Sequence, residues 1–235
     1  MRFERLTTAE HEMYARAMEL YRQSFPFHEQ REAASQAGVL GEKEYQFNLV
    51  YDGEVFVGLI LCWETDRFLY VEHFCICPAL RNRKYGQRAL ELLGQRGKTV
   101  ILEIDPPVDE ISIRRKGFYE RAGYRENPFP HVHPAYHAGC SGHPLTVMSC
   151  PEPLSEELYQ EFDRYLKNVV MGVSKDDLSQ AKRQIDSTLH KLRETVKTLE
   201  AKENLERYKS QVTLAKRRIK AFEIADWLIE RELER

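Results

Sequence analysis

Residues 68–77 form an apolar run that stops at Pro78, and a basic turn follows at once: Arg81-Asn82-Arg83-Lys84-Tyr85-Gly86-Gln87. After the turn, Ala89, Leu90 and Leu93 recur at helical spacing. A strand, a basic turn and a helix start together make an anion cradle. The first amides of a helix lack partners, its dipole adds partial positive charge, and Gly86 leaves room for a ligand. Arg81, Arg83 and Lys84 add charge to the same turn, although a basic surface loop capping an ordinary helix has the same look. Within the strand stand Glu72 and His73. An acid in an apolar strand is costly to bury unless it has a partner or a task. Neighbours on a regular strand face opposite sides, so only one of the two is expected to face a cleft. Cys75 and Cys77 share a strand face, and no His/Asp set nearby would activate them, so both read as packing residues.

A second cluster lies at 127–144, where His131, His133, His137 and His143 make up four of the eight histidines, with Cys140 among them. Such residues can bind a metal, but their spacing fits no standard finger, and no metal ligand is assigned. Glu103, on the apolar stretch Thr99–Ile104, either faces the same region or is structural.

The elements that must hold these residues are legible in outline. In 235 residues, 42% are hydrophobic, 31% are charged and the formal net charge is −2. That apolar share suffices for a core, and the charge excludes a global attraction to nucleic acid or anionic membrane. No long apolar segment reads as a membrane span and the start is too polar for a signal peptide. The five scattered cysteines read as reduced thiols, hence a cytoplasmic protein. Strands are expected near 3–6, 44–50, 55–63, 68–77, 99–104 and 145–149. Helices are expected near 9–24, 28–39, 83–96 and 110–122. Asp52-Gly53 marks a hairpin turn, since glycine tolerates the positive φ such turns use. The order implies a mixed α/β sheet.

All 12 glycines lie at or before Gly172 and all 10 prolines at or before Pro153. Residues 181–235 carry 14 Lys and Arg against 10 Asp and Glu, whereas the remainder carries 21 against 27. We therefore expect two domains, 1–172 and 173–235, with Ser174 as a helix N-cap. In the second, Ile185, Leu189, Leu192, Val196 and Leu199 recur in steps of four and three, and the pattern restarts at Leu205, Tyr208, Val212 and Ala215. That predicts a helical hairpin turning near 201–204, or one continuous helix. The Lys216–Lys220 basic cluster is read as a solvated face, not a nucleic-acid site. A homodimer through these helices is an expectation, because a lone hairpin buries little.

Beyond the basic turn comes Gly117-Phe118-Tyr119-Glu120-Arg121-Ala122-Gly123-Tyr124. With the turn 81–86, this phrase and the element order resemble the GNAT acetyltransferase superfamily over about residues 1–170. The resemblance implies a mixed, mostly antiparallel sheet flanked by helices that splays after its fourth strand. It also implies acetyl-CoA as co-substrate and direct attack of an amine on the thioester. The amine would belong to a small molecule or a peptide. Two positions depart from the family pattern: Lys84 replaces a glycine, and Ser112 replaces a frequent asparagine. By resemblance, the cofactor contacts are Phe74, Cys75, Ile76, Arg81, Arg83, Lys84, Tyr85, Gly86, Gln87 and Ser112. Tyr119 is the expected acid toward the sulfur, Glu72 or His73 the expected base, and the histidine-rich loop borders the acceptor. The alternative is a non-catalytic CoA-binding sensor or scaffold with the helices as partner surface.

Overall fold

The structure, a computed structural model, describes residues 1–137, 139–172, 175–202 and 204–233. The chain divides into two compact units, Met1–Gly172 and Val173–Arg235. The first unit opens with β1 (Arg2–Leu6), α1 (Tyr14–Ser24) and α2 (Ala33–Gly38). Three long strands follow, β2 (Tyr45–Asp52), β3 (Val55–Glu64) and β4 (Phe68–Ile76). It continues with α3 (Tyr85–Gly94), β5 (Thr99–Ile104), α4 (Glu110–Arg121), β6 (Arg125–Glu126), β7 (Val132–His133), β8 (His143–Pro144), β9 (Thr146–Cys150) and α5 (Glu156–Tyr165).

Seven strands form one sheet in the order β1-β2-β3-β4-β5-β9-β6, antiparallel except for the β4–β5 pair. Two apolar clusters cover its faces. One gathers Tyr21, Phe47, Phe68, Tyr70 and Phe162, and the other gathers Leu69, Val71, Leu90, Leu102 and Met148. The alternation of strand side chains accounts for this division.

Two helices differ from expectation. The first starts at Tyr14 rather than near residue 9. The Thr8 hydroxyl accepts from the Glu10 amide at 3.0 Å and the His11 ring from the Met13 amide at 3.1 Å, which favours a turn over a helix. The helix expected over 28–39 is broken into a short 3-10 turn at Phe27–Glu29 and α2. Between them Gln30 and Glu32 have extended ψ angles of 136° and 142°, and Arg31 is drawn into the interior. Helix α5, which sequence periodicity left unassigned, is capped by Ser155, whose hydroxyl accepts from the Leu158 amide at 3.2 Å.

The second unit comprises α6 (Lys175–Glu200) and α7 (Leu205–Leu233). Val196, Val212 and Ala215 are buried together, with Leu192, Leu199 and Ile219 against them. Lys182 pairs with Asp226 and Glu230, Arg193 with Glu223 and Lys216 with Glu200, so the two helices run antiparallel. The expected cap at Ser174 lies outside the described residues. Among the described residues no helix is long and apolar enough to cross a membrane.

Candidate active site

Strands β4 and β5 pair only from Phe68–Thr99 to Val71–Leu102. Beyond that point β5, paired with β9 on its other side from Val100 to Ile104, leaves β4, and β4 runs on alone along that edge. Peptide groups of β4 that face this side have no strand partner, so they are open to a ligand. A cleft of about 930 Å³ opens there, and Phe74, Cys75 and Ile76 form one wall while Leu102 and Glu103 belong to the other.

The basic turn stands at the cleft mouth. Arg81, Asn82, Lys84 and the first residues of α3, Tyr85, Gly86 and Gln87, line it. Asn82 and Lys84 have φ of 63° and 62°, the left-handed region that glycine enters most cheaply. Lys84 thus keeps the turn geometry despite replacing a glycine, and adds a charge. Gly86 has another reason from the one its sequence suggests. A Cβ there would lie 3.1 Å from Phe118 Cζ, so the open space admits an aromatic ring of α4. Arg83 is exposed and does not line the cleft.

Glu72 and His73 both line the cleft, contrary to the regular-strand expectation. The register of β3 on β4 shifts here: Leu61 faces His73 and Cys62 faces Val71, leaving Glu72 as an extra residue. This β-bulge re-aims the strand, so Tyr70 and Cys75, on either side of it, meet the same core cluster.

Each of the pair is held differently. The Glu72 side chain is fully buried and accepts from Arg31 Nη2 at 2.7 Å, Trp63 Nε1 at 2.8 Å and Tyr136 Oη at 2.9 Å. Burial works against its charge, but Arg31, His73 and these donors hold the carboxyl below the ordinary glutamate value. His73 Nε2 lies 2.8 Å from the Glu29 carbonyl and 3.2 Å from the Tyr21 hydroxyl. A carbonyl only accepts, so Nε2 carries the hydrogen and Nδ1 keeps its lone pair. Nδ1 is buried without a hydrogen-bond partner, 4.0 Å from Glu72 Oε1. Burial, ahead of the opposing Glu72 charge, holds the imidazole below its ordinary value. Arg31 ties both together, since its backbone amide donates to Tyr21 Oη at 2.9 Å. Neither Arg31 nor Tyr136 was marked by motif. Only the contacts across distant chain segments reveal them.

Tyr119 lines the cleft from α4, packed between Phe118 and Tyr124, and burial pushes its phenol up to about 12. Cys75 is buried and pushed up to about 11, chiefly by that burial, which is unsuited to a nucleophile. Glu103 also lines the cleft, bonded to Tyr70 Oη and His131 Nε2. The histidine-rich loop becomes the two-stranded β7–β8 ribbon and brings His133, Tyr136 and His143 to the wall. Among the described residues no group of three or more His, Cys, Asp or Glu is arranged to hold a metal.

Ser112 is placed differently from expectation. Its hydroxyl accepts from the Val108 and Asp109 amides at 3.1 Å, while Asp109 accepts from the Ser112 amide at 2.9 Å. This is a capping box at the start of α4, and Ser112 does not line the cleft. Ser112→Ala is therefore expected to cost ~1 kcal/mol of stability in denaturant titration and leave the KM for acetyl-CoA unchanged. A tenfold rise in that KM at unchanged stability would return Ser112 to the ligand site.

A splayed sheet with a helix start at its gap and a half-buried tyrosine lining the same cleft defines the class of acyltransferases that use a coenzyme A thioester. The sequence profile of the Acetyltransferase (GNAT) family matches residues 10–124. A GNAT-family protein from Bacteroides thetaiotaomicron is 33% identical, with a TM-score of 0.70, over 74% of this chain and 100% of that one. The chain belongs to the GNAT acetyltransferase family. It is an N-acetyltransferase with acetyl-CoA as co-substrate. More remote in structure are an aminoglycoside 6'-N-acetyltransferase from Enterococcus faecium and the ribosomal-protein-S18-alanine N-acetyltransferase from Escherichia coli. They are 17% and 16% identical, with TM-scores of 0.44 and 0.43, each over 66% of this chain and 100% and 96% of their own. A sequence search of curated proteins found no match. The α6–α7 unit lies outside the residues the profile matches.

Proposed function

We propose that the chain moves acetyl from acetyl-CoA directly to an amine held beside it in the cleft. The divergence of β4 from β5 beside the N-terminus of α3 carries this reading, because it offers unpaired peptide groups and unpaired amides in one continuous cleft. Arg81, Lys84 and the amides of Tyr85, Gly86 and Gln87 bind the diphosphate. The free edge of β4 at Phe74, Cys75 and Ile76 aligns the pantetheine arm, and an N–H of that edge donates to the carbonyl oxygen as charge develops on it. Holding thioester and amine together supplies orientation that free reactants lack.

In the transfer, the amine nitrogen bonds to the thioester carbon, the C–S bond breaks and the sulfur takes the electron pair. His73 Nδ1 is the acceptor for the proton the amine sheds. It has a lone pair and no competing donor, whereas the Glu72 carboxylate is engaged by three. Glu72, held by Arg31, fixes the local charge and stabilises the imidazolium as it forms. Tyr119 acts on the sulfur. A phenol near 12 is protonated throughout the working range. Complete transfer to a thiolate of reference value about 8.5 would cost ~5 kcal/mol, so its part is a hydrogen bond to the departing sulfur.

The test is His73→Gln. With acetyl-CoA and an accepting amine, thiol release should fall by about 10²-fold in kcat. In the unaltered chain, the acid limb of kcat/KM should have its midpoint below the ordinary 6.5 of imidazole, since His73 is depressed. Unchanged kcat on His73→Gln would remove His73 from this role. A chain that binds acetyl-CoA calorimetrically yet acetylates no amine would instead be a CoA sensor.

A further inference from the structure

Two imidazoles line the cleft in parallel arrangements. On β4, His73 donates through Nε2 to the Glu29 carbonyl at 2.8 Å, and Nδ1 keeps a lone pair 4.0 Å from Glu72 Oε1. On the β7–β8 ribbon, His133 Nδ1 lies 2.6 Å from the Pro134 carbonyl. A carbonyl only accepts, so this Nδ1 carries the hydrogen and the lone pair is on Nε2. His133 Nε2 is 3.9 Å from Glu103 Oε2. Each ring thus has one nitrogen tied to the backbone, a lone pair on the other, and a buried carboxylate beside that lone pair. The transfer described above uses His73 and gives His133 no task.

The carboxylate beside His133 is held ionised. Glu103 accepts from His131 Nε2 and Tyr70 Oη, and its side chain is 5% exposed. Burial works against its charge, but the His131 bond, with His133 and Tyr70, holds the carboxyl below the ordinary glutamate value. A carboxylate so placed favours an imidazolium on its neighbour. Among the described residues, the other titratable groups around His133 are Tyr136, His143 and His73. The Tyr136 ring is 5.0 Å away and its hydroxyl is given to Glu72. His143 is paired opposite on β8, with Nε2 3.4 Å from Asp105. A charge on His133 opposes one on His73, so the two rings are best charged in turn.

The chemistry calls for two proton acceptors. Near neutral pH a free amine is mostly an ammonium ion, which has no lone pair to attack with. Its nitrogen loses one proton before attack and a second as the N–C bond forms. We propose that His133 is a second base of the transfer: Nε2 takes the first proton, from the ammonium form in which the acceptor arrives, and His73 Nδ1 takes the second. This rests on the acetyl-transfer reading of the cleft. In the first step an N–H bond breaks, its electron pair stays on nitrogen, and the proton bonds to His133 Nε2. In the second the nitrogen bonds to the thioester carbon, the sulfur leaves with its pair, and His73 receives the remaining proton. Of the two protons, one ends on the sulfur as the CoA thiol and one in water.

Nitrogen-15 NMR of the neutral imidazoles in the CoA-loaded chain tests the arrangement without an acceptor. It should show His73 protonated at Nε2 and His133 at Nδ1; a His133 protonated at Nε2 would overturn the proposal. Kinetics test the role. His133→Asn keeps a donor in the place of Nδ1 and removes Nε2, so the ribbon should be preserved. Thiol release from acetyl-CoA at pH 8 is compared for glycinamide, an α-amine of reference value about 8, and butylamine, near the lysine value of about 10.4. His133→Asn should lower kcat/KM about 10²-fold for butylamine, which is nearly all ammonium, and less than about threefold for glycinamide, much of which is already free base. The butylamine value in the variant should then climb about tenfold per pH unit between about pH 8 and 10, as water supplies the free base, a slope absent from the unaltered chain. His73→Gln, by contrast, should slow both amines alike. No loss on His133→Asn, or equal losses with the two amines, would overturn the second base and leave the transfer reading standing. Acetylation of neither amine by the unaltered chain would overturn the transfer reading, and the second base with it.

Discussion

Tyr119→Phe is expected to lower kcat by about 100-fold while acetyl-CoA affinity stays within a factor of two. Removing a preorganised donor from a site of developing charge typically costs 10²–10³ in rate. The substitution keeps the ring, which packs with Phe118 and Tyr124, so the fold should be preserved. Because burial holds the phenol near 12, its ionisation should leave no alkaline limb in the kcat profile below about that pH. Rapid-mixing measurement of thiol release checks both statements. A kcat unchanged by the loss of the hydroxyl would make Tyr119 a packing residue and place the sulfur elsewhere.

Arg31→Met carries the largest expected effect on stability. The guanidinium is 6% exposed and donates to Glu72 at 2.7 Å, to the Val170 carbonyl at 2.8 Å and to Ser35 Oγ at 3.2 Å. Its removal strands a fully buried carboxylate, and breaking one side of such a pair costs about 3–5 kcal/mol. The sign with pH follows from Glu72. Its carboxyl lies below the ordinary value in the folded chain, so the ionised form contributes stability above that ordinary value. That contribution is lost as pH falls through the folded value. In Arg31→Met the acid loses its largest stabilising neighbour, so the variant should be relatively least stable at neutral pH and gain on acidification. The double variant Arg31→Met/Glu72→Met should recover most of the melting temperature, since no charge is then stranded, while activity stays low. Failure of the double variant to recover would show that Arg31 stabilises through Val170 and Ser35 rather than through Glu72.

Much of this architecture is legible in one chain. The strand over Thr99–Ile104 is a β-branched and leucine run interrupted only by Glu103, and its observed bounds are the expected ones. The β2–β3 hairpin turns at Gly53-Glu54, closed by the Asp52–Val55 pair, and Gly53 has φ of 59°. Such features depend on residues close in sequence, which is why periodicity and turn chemistry predict them. The basic turn and the tyrosine phrase are local for the same reason. Elements whose form depends on distant partners were not legible. Arg31 breaks the expected 28–39 helix because its guanidinium is bonded 41 residues away to Glu72 and 139 residues away to Val170. Ser112, seven positions before Tyr119, has the spacing of a ligand contact, yet the adjoining Asp109 turns it into a helix cap.

The sequence by itself determined the alternation of strands and helices, the basic turn before α3, and the breaker-free chain after Gly172. Each follows from neighbours within a few residues, whose sterics and charge act before any fold exists. Only the tertiary structure decided that Glu72 and His73 share one face, since a bulge arises from how β3 lies on β4. It alone brought Arg31 and Tyr136 to the same carboxylate, because charge balance belongs to a closed volume and not to a stretch of chain.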